Sequence, residues 1–171
     1  GMGYTARALA ASLHEGWKIT GTFRDGEALA GFDGVAFDDA EAALASASHV
    51  LVSAPPGEAG DPVLARYRKQ LASSENLAWV GYLSTTGVYG DTGGATVDEA
   101  APSAPTNARS RWRAQAEQAW LALDMPPHIF RLAGIYGPGR SAFDQVRAGT
   151  ARRIDRPGYK FSRIHVADVA N

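Results

Sequence analysis

The chain has no cysteine among its 171 residues. That absence excludes a disulfide framework, a thiolate nucleophile and any cysteine-ligated zinc or iron–sulfur cluster. No uninterrupted apolar run approaches the roughly 18 residues that a membrane-spanning helix needs. No basic stretch precedes an apolar run at the N-terminus, so no secretory signal is expected and the expected location is cytoplasmic. Repeats and low-complexity linkers are also missing. The four histidines, His14, His49, His128 and His165, lack the spacing of metal ligands and read more simply as edge residues of strands or helices.

What remains is the composition of an ordinary globular chain, 45% hydrophobic and 20% charged, which excludes wholesale disorder. The length suits one domain spanning residues 1–171, able to bury roughly two thirds of its unfolded surface. The net charge of −1 hides an asymmetry, because residues 109–171 carry +6 and residues 1–108 carry −7. A basic final third can receive a phosphate-bearing ligand or can be a solvated face. It shows neither interleaved aromatic platforms nor a recognition-helix motif, so a nucleic-acid partner is not expected.

Short apolar runs alternate with segments of helical period. Lys18–Phe23, Val35–Phe37, His49–Ala54, Leu77–Ser84 and Ile129–Ile135 read as strands. Between them lie a helix from Arg7 to His14, an alanine-rich helix from Asp39 to about Ala47, and a helix over Asp61–Ala72 with Asp61 as cap and Pro62 in its first turn. The helix over Thr106–Asp124 carries the stripe Trp112, Ala116, Ala119, Trp120 and Leu123, and Met125-Pro126-Pro127 halts it. Strands separated by helices of about three turns imply crossover connections and a doubly wound α/β fold with a parallel sheet. Ligands of such sheets sit beyond the carboxyl ends of the strands. Ala54, Pro55, Pro56, Ser84 and Ile135 stand at or just after strand ends and are therefore candidates to line a cofactor.

The first residues, Gly1-Met2-Gly3-Tyr4-Thr5-Ala6, form G-x-G-x-x-A ahead of a helix. Glycines let backbone approach a diphosphate, and the free N–H groups of the helix attract it. The strand that should precede the pattern is absent, and the alternative is an expression remnant followed by a capping glycine. At the end of the next strand, where NAD-binding domains place an acid for the adenosine ribose, stands Arg24. An arginine there would pair with a 2′-phosphate and favours NADP, whereas Asp25 beside it keeps NAD open. The bland reading of Arg24 is a solvated turn residue.

Two longer segments are more specific: Leu83-Ser84-Thr85-Thr86-Gly87-Val88-Tyr89-Gly90, and Phe130-Arg131-Leu132-Ala133-Gly134-Ile135-Tyr136-Gly137-Pro138-Gly139-Arg140. Together they resemble the extended short-chain dehydrogenase/reductase superfamily of NAD(P)-dependent nucleotide-sugar epimerases and dehydratases. Phe161–Val169 looks like that family's next landmark, a strand entering a helix. The resemblance covers essentially the whole chain. It implies a Rossmann-type domain binding NADP or NAD, with an anionic, nucleotide-linked sugar as substrate and no membrane partner; a homo-oligomer is compatible with it. Active members use a Ser/Thr, a tyrosine and a lysine. The hydroxyl falls at Thr85, although a strand-end threonine can also bond its own backbone.

Anchored on Glu117, the family's lysine position is Arg113 and its tyrosine position is Arg109. Arginine stays protonated to a pKa above about 12, so Arg109 cannot replace a phenol acid/base. Arg113 can still grip a ribose or phosphate, or polarise a carbonyl as a fixed cation. The chain thus resembles atypical members that have lost the catalytic pair. Tyr82, Tyr89 and Tyr136 are near the expected cleft, and Asp98 and Glu99 precede the long helix, but packing and solvation respectively explain them more simply.

The family's first strand is central, flanked by the strands Lys18–Phe23 and His49–Ala54. Without it the sheet is expected to part into halves with unpaired edges, and the sequence reads as part of a longer protein lacking the C-terminal substrate-binding portion. The functions left open are an epimerase, dehydratase or reductase with altered or lost catalysis, a non-catalytic dinucleotide sensor, and a remnant that binds nothing.

Overall fold

The computed structural model describes residues 1–13, 15–24, 32–125, 127–153, 155 and 157–171. Asp25, the residue that kept NAD open, and His14 lie outside the described residues. In chain order the elements are α1 (Tyr4–Ser12), β1 (Thr20–Phe23), β2 (Asp33–Ala36), α2 (Glu41–Ser46), β3 (His49–Val52), α3 (Pro62–Ala72), β4 (Trp79–Thr85), α4 (Ala108–Leu121), β5 (His128–Leu132), β6 (Gly134–Tyr136), α5 (Ala142–Arg147), β7 (Arg163–His165) and α6 (Val166–Ala170). The fold is α/β with parallel strands, as expected.

Local chemistry accounts for the borders. The Asp61 carboxylate accepts from the amides of Val63 and Leu64 at 2.9 and 3.0 Å, and Pro62 occupies the first turn of α3. Asn107 caps α4 through the Ser110 amide at 3.0 Å, one residue beyond the expected start. Helix α5 was not expected from periodicity. Its six residues expose Phe143 and Val146, and a capping box between Ser141 and Asp144 holds its first turn.

The strand expected over Ile129–Ile135 is in fact two. Leu132 ends the ladder with β4, where it faces Thr85, and Gly134 begins a new ladder against Arg163 of β7. The chain changes partners at Ala133, which pattern alone cannot reveal.

Three ladders result among the described residues: β1–β2, β3–β4–β5 and β6–β7. The expected parting of the sheet therefore falls between β1 and β3. At their carboxyl ends the first two residues tie the halves together. The Met2 amide donates to the Thr22 carbonyl at 3.2 Å, and the Ser53 hydroxyl donates to the Gly1 carbonyl at 2.6 Å.

The core lies on one face of β3–β4, under α3 and α4. Val63, Leu64, Tyr67 and Leu71 from α3 meet Ala116 and Trp120 from α4 over Val52, Val80 and Tyr82. Of the stripe read from the sequence, Ala116 and Trp120 join this core and Ala119 and Leu123 pack against it, whereas Trp112 lies outside it; Trp120 is 0% exposed with its ring 5.8 Å from that of Tyr82. Burial of this apolar face positions the first turns of α4 beside the strand ends.

Candidate functional site

Gly3 stands at the N-cap of helix α1 and offers no side-chain cap, and no acid stands in the first turn. Its leading N–H groups therefore lack a side-chain acceptor, and the dipole favours an anion there. A Cβ built on Gly3 meets nothing within 4 Å. That open space fits the close approach of a diphosphate, so the residues present suit a dinucleotide. Thr5 and Ala6 are buried and fix the helix start. The Tyr4 hydroxyl donates to the Pro138 carbonyl at 3.0 Å, and Arg140 lies over the Tyr4 ring at 5.5 Å. The first glycine segment and the Gly137-Pro138-Gly139-Arg140 turn, far apart in sequence, thus share one edge. Tyr4, Arg7, Ala8, Pro138 and Val166 line an open cleft of about 430 Å³ there.

Arg24 directly follows β1, and its guanidinium lies 5.9 Å from the ring of Phe37, which directly follows β2. A cation held at these two strand ends suits a phosphate on an adenosine ribose.

At the end of β4, Thr85 accepts from the Gly87 amide at 3.1 Å and caps the short 3-10 turn Thr86–Tyr89. Its hydroxyl proton has no acceptor among the described residues. Arg113 is fastened to the same strand: Nη1 donates to the Leu83 carbonyl at 2.7 Å, the Tyr82 hydroxyl at 3.1 Å and the Ala54 carbonyl at 3.5 Å. One guanidinium therefore ties the end of β4 to the residue after β3. Ala54 is half-buried, Pro56 buried and Pro55 exposed. Arg109, a turn earlier, is exposed and has no hydrogen bond or ion pair among the described residues.

Ser84 is engaged elsewhere, because its hydroxyl donates to the buried carboxylate of Glu117. Ile135 pairs with Ile164 in the β6–β7 ladder. Asp98 sits in an exposed turn, accepting from the Ala100 amide at 3.1 Å.

Tyr89 is buried in the 3-10 turn, and Tyr136 packs its ring against His165 at 5.1 Å. Tyr82 is 0% exposed, and burial pushes its phenol up to about 12 although the Arg113 cation pulls the other way. The folded chain thus keeps a proton that the unfolded chain loses from about pH 10. Stability contributed by Tyr82 is present below that pH and declines as pH rises from about 10 to 12. Tyr82→Phe should flatten this part of the pH profile in urea melts; a slope equal to that of the original chain would show that the phenol titrates freely.

No family model and no curated protein matches the chain. Solved structures do match it. A conserved protein of unknown function from Silicibacter pomeroyi is 49% identical with a TM-score of 0.92, and the match covers 99% of this chain and 63% of that one. A protein of Methylobacillus flagellatus, provisionally assigned as an NAD-dependent epimerase/dehydratase, is 25% identical with a TM-score of 0.74, covering 98% and 64%. The dTDP-glucose 4,6-dehydratase of Bacillus anthracis, solved with NAD, is 16% identical with a TM-score of 0.73, covering 98% and 66%. The chain therefore spans just under two thirds of the length of the first two. Its structural neighbours include epimerases and dehydratases, some of them solved with NAD, and its fold is of their Rossmann type. No helix among the described residues is long and apolar enough to cross a membrane.

Proposed function

We propose that residues 1–171 form a single NAD(P)-binding domain of an oxidoreductase of the nucleotide-sugar epimerase/dehydratase type, with NADP the preferred cofactor and catalysis altered at the tyrosine and lysine positions. The observation that carries this reading is the bare N-terminus of α1. Gly3 leaves open space there, Gly1 and Met2 bridge the ends of β1 and β3, and Arg24 stands at the next strand end.

The nicotinamide of a bound cofactor supplies hydride transfer to or from a substrate carbon. The rest belongs to the chain. Amides of α1 hold the diphosphate, and Arg24 holds the 2′-phosphate. Thr85, with its proton free, steadies the substrate oxygen, and Arg113 offers a fixed positive charge beside it. Arg109 has no means of moving a proton near neutrality. The basic final third, with Arg140 next to Tyr4, suits an anionic, nucleotide-linked sugar as the partner. One observation favours a second reading, a non-catalytic dinucleotide sensor. Tyr82 and Tyr89 are buried, and Arg109, at the tyrosine position of the resembled family, is a solvated cation that cannot trade a proton near neutrality.

Fluorescence titration with NADPH and NADH, followed by absorbance assays on a panel of sugar nucleotides, separates these outcomes. Binding with turnover supports the enzyme and binding without turnover the sensor; failure to bind either cofactor removes both. Arg24→Ala should weaken NADPH at least about tenfold while NADH changes by no more than about twofold, since only the former has a phosphate to lose. Equal losses would show that Arg24 does not read the 2′-phosphate.

A further inference from the structure

Behind Thr85 and Arg113 lies an ion pair that the proposed chemistry does not use. Glu117 stands one helical turn beyond Arg113 on α4 and is 3% exposed. Arg131 of β5 grips its carboxylate, with Nε at 3.1 and 3.3 Å from the two oxygens and Nη2 at 2.8 Å from one of them. The Ser84 hydroxyl donates to the same carboxylate. Ser84 and Arg131 face each other in the β4–β5 ladder, so Glu117 spans both strands.

The contacts continue into the turn that carries Thr85. Arg131 lies over the Tyr89 ring at 4.8 Å, and Tyr89 closes the 3-10 turn that Thr85 caps. In the middle of that turn Gly87 lies so near α4 that an added Cβ would come within 2.6 Å of the Ser110 hydroxyl. The turn is therefore held at its start by Ser84, at its middle by α4 and at its end by Arg131. Two of these three holds pass through the Glu117–Arg131 pair.

Net stability is a poor explanation for such a pair. Desolvating two charges largely offsets their attraction, and apolar residues of similar volume commonly stabilise a core as well or better. What the pair does supply is direction, because a planar guanidinium fork accepts a carboxylate in few orientations.

We propose that Glu117 is a positioning residue: by anchoring α4 to β4 and β5 through Ser84 and Arg131, it sets the separation between the Thr85 hydroxyl and the Arg113 guanidinium without touching a ligand. This rests on the dinucleotide reading above and predicts an effect on the nicotinamide half of the cofactor alone. On that reading the adenosine and diphosphate half would lie against α1 and the ends of β1 and β2, which the pair does not brace.

The test uses the full chain and two probes by calorimetry, ADP and whichever of NADH and NADPH binds more tightly. Glu117→Gln should weaken the nicotinamide dinucleotide about tenfold and leave ADP within about twofold. Arg131→Lys, which keeps the charge but loses the fork, should reproduce Glu117→Gln rather than the original chain. Ser84→Ala removes one hydroxyl with little risk to folding, and should give a loss of about threefold on the dinucleotide alone. Equal weakening of both probes, or unchanged binding of both by folded variants, overturns the positioning role. An original chain that binds ADP but shows this result leaves the dinucleotide reading intact, whereas one that binds neither probe overturns both.

Discussion

Gly3→Asp should leave the chain folded and weaken its binding of nicotinamide dinucleotides by up to about a thousandfold. The N-cap backbone of Gly3, with φ −75° and ψ −174°, is open to any residue, and nothing lies within 4 Å of a Cβ placed there. Aspartate is a good N-cap, so helix α1 should gain a few tenths of a kcal/mol. The same carboxylate occupies the anion position. A like charge about 4 Å from a diphosphate costs between about 1 and 4 kcal/mol depending on how much water remains, which corresponds to a loss of between about fivefold and about a thousandfold. Calorimetry with NADPH and a urea melt check the two halves together. Undiminished binding with the fold intact would place the dinucleotide elsewhere and remove the principal support for the proposed function.

The second large effect is on stability. Gly90 has φ +74° and ψ −145°, a backbone region accessible essentially to glycine alone, and a Cβ there would overlap the Ala104 carbonyl oxygen. The Ala104 amide bonds the Val88 carbonyl at 2.9 Å, so that segment is tied to the 3-10 turn and has little room to retreat. Gly90→Ala should cost about 3 kcal/mol or more from strain and overlap together. Gly93 has φ +62° with open space around it, and Gly93→Ala should cost only about 1–2 kcal/mol. Urea melts of the two variants give the comparison, and similar midpoints would mean that the turn adapts freely.

Much of the fold was legible because its signals are local. The Asp61-Pro62 start of α3 follows from one carboxylate and one ring, and the packing of Ala116, Ala119, Trp120 and Leu123 of α4 follows from helical period alone. Other features depend on partners distant in sequence. Helix α5 has no buried stripe to announce it, since a capping box rather than an apolar face holds its start. The break at Ala133 exists because residues 134–136 find β7, about thirty residues further on. At the site, the sequence could align Thr85 and Arg113 but could not say where the guanidinium points; the carbonyls of Leu83 and Ala54 decide that. Ser84 looked like a residue of the strand end available to a cofactor. Its hydroxyl belongs to Glu117, a contact visible only once β4, β5 and α4 are in register.

By itself the sequence determined the α/β class, the order of the elements from α1 to β5, the glycine segment before α1 and the presence of Arg109 and Arg113 one turn apart on α4. Each of these is a property of residue type and spacing, which short-range sterics, capping and periodicity translate directly into backbone. Tertiary structure alone decided that the chain changes ladders at Ala133 between β5 and β6, that Arg113 is fastened to strand-end carbonyls while Arg109 is left in solvent, and that Glu117 braces the turn that Thr85 caps. The reason is physical: hydrogen bonds and ion pairs of buried polar groups depend on which chains of atoms burial brings within about 3 Å, and no local rule specifies that distance.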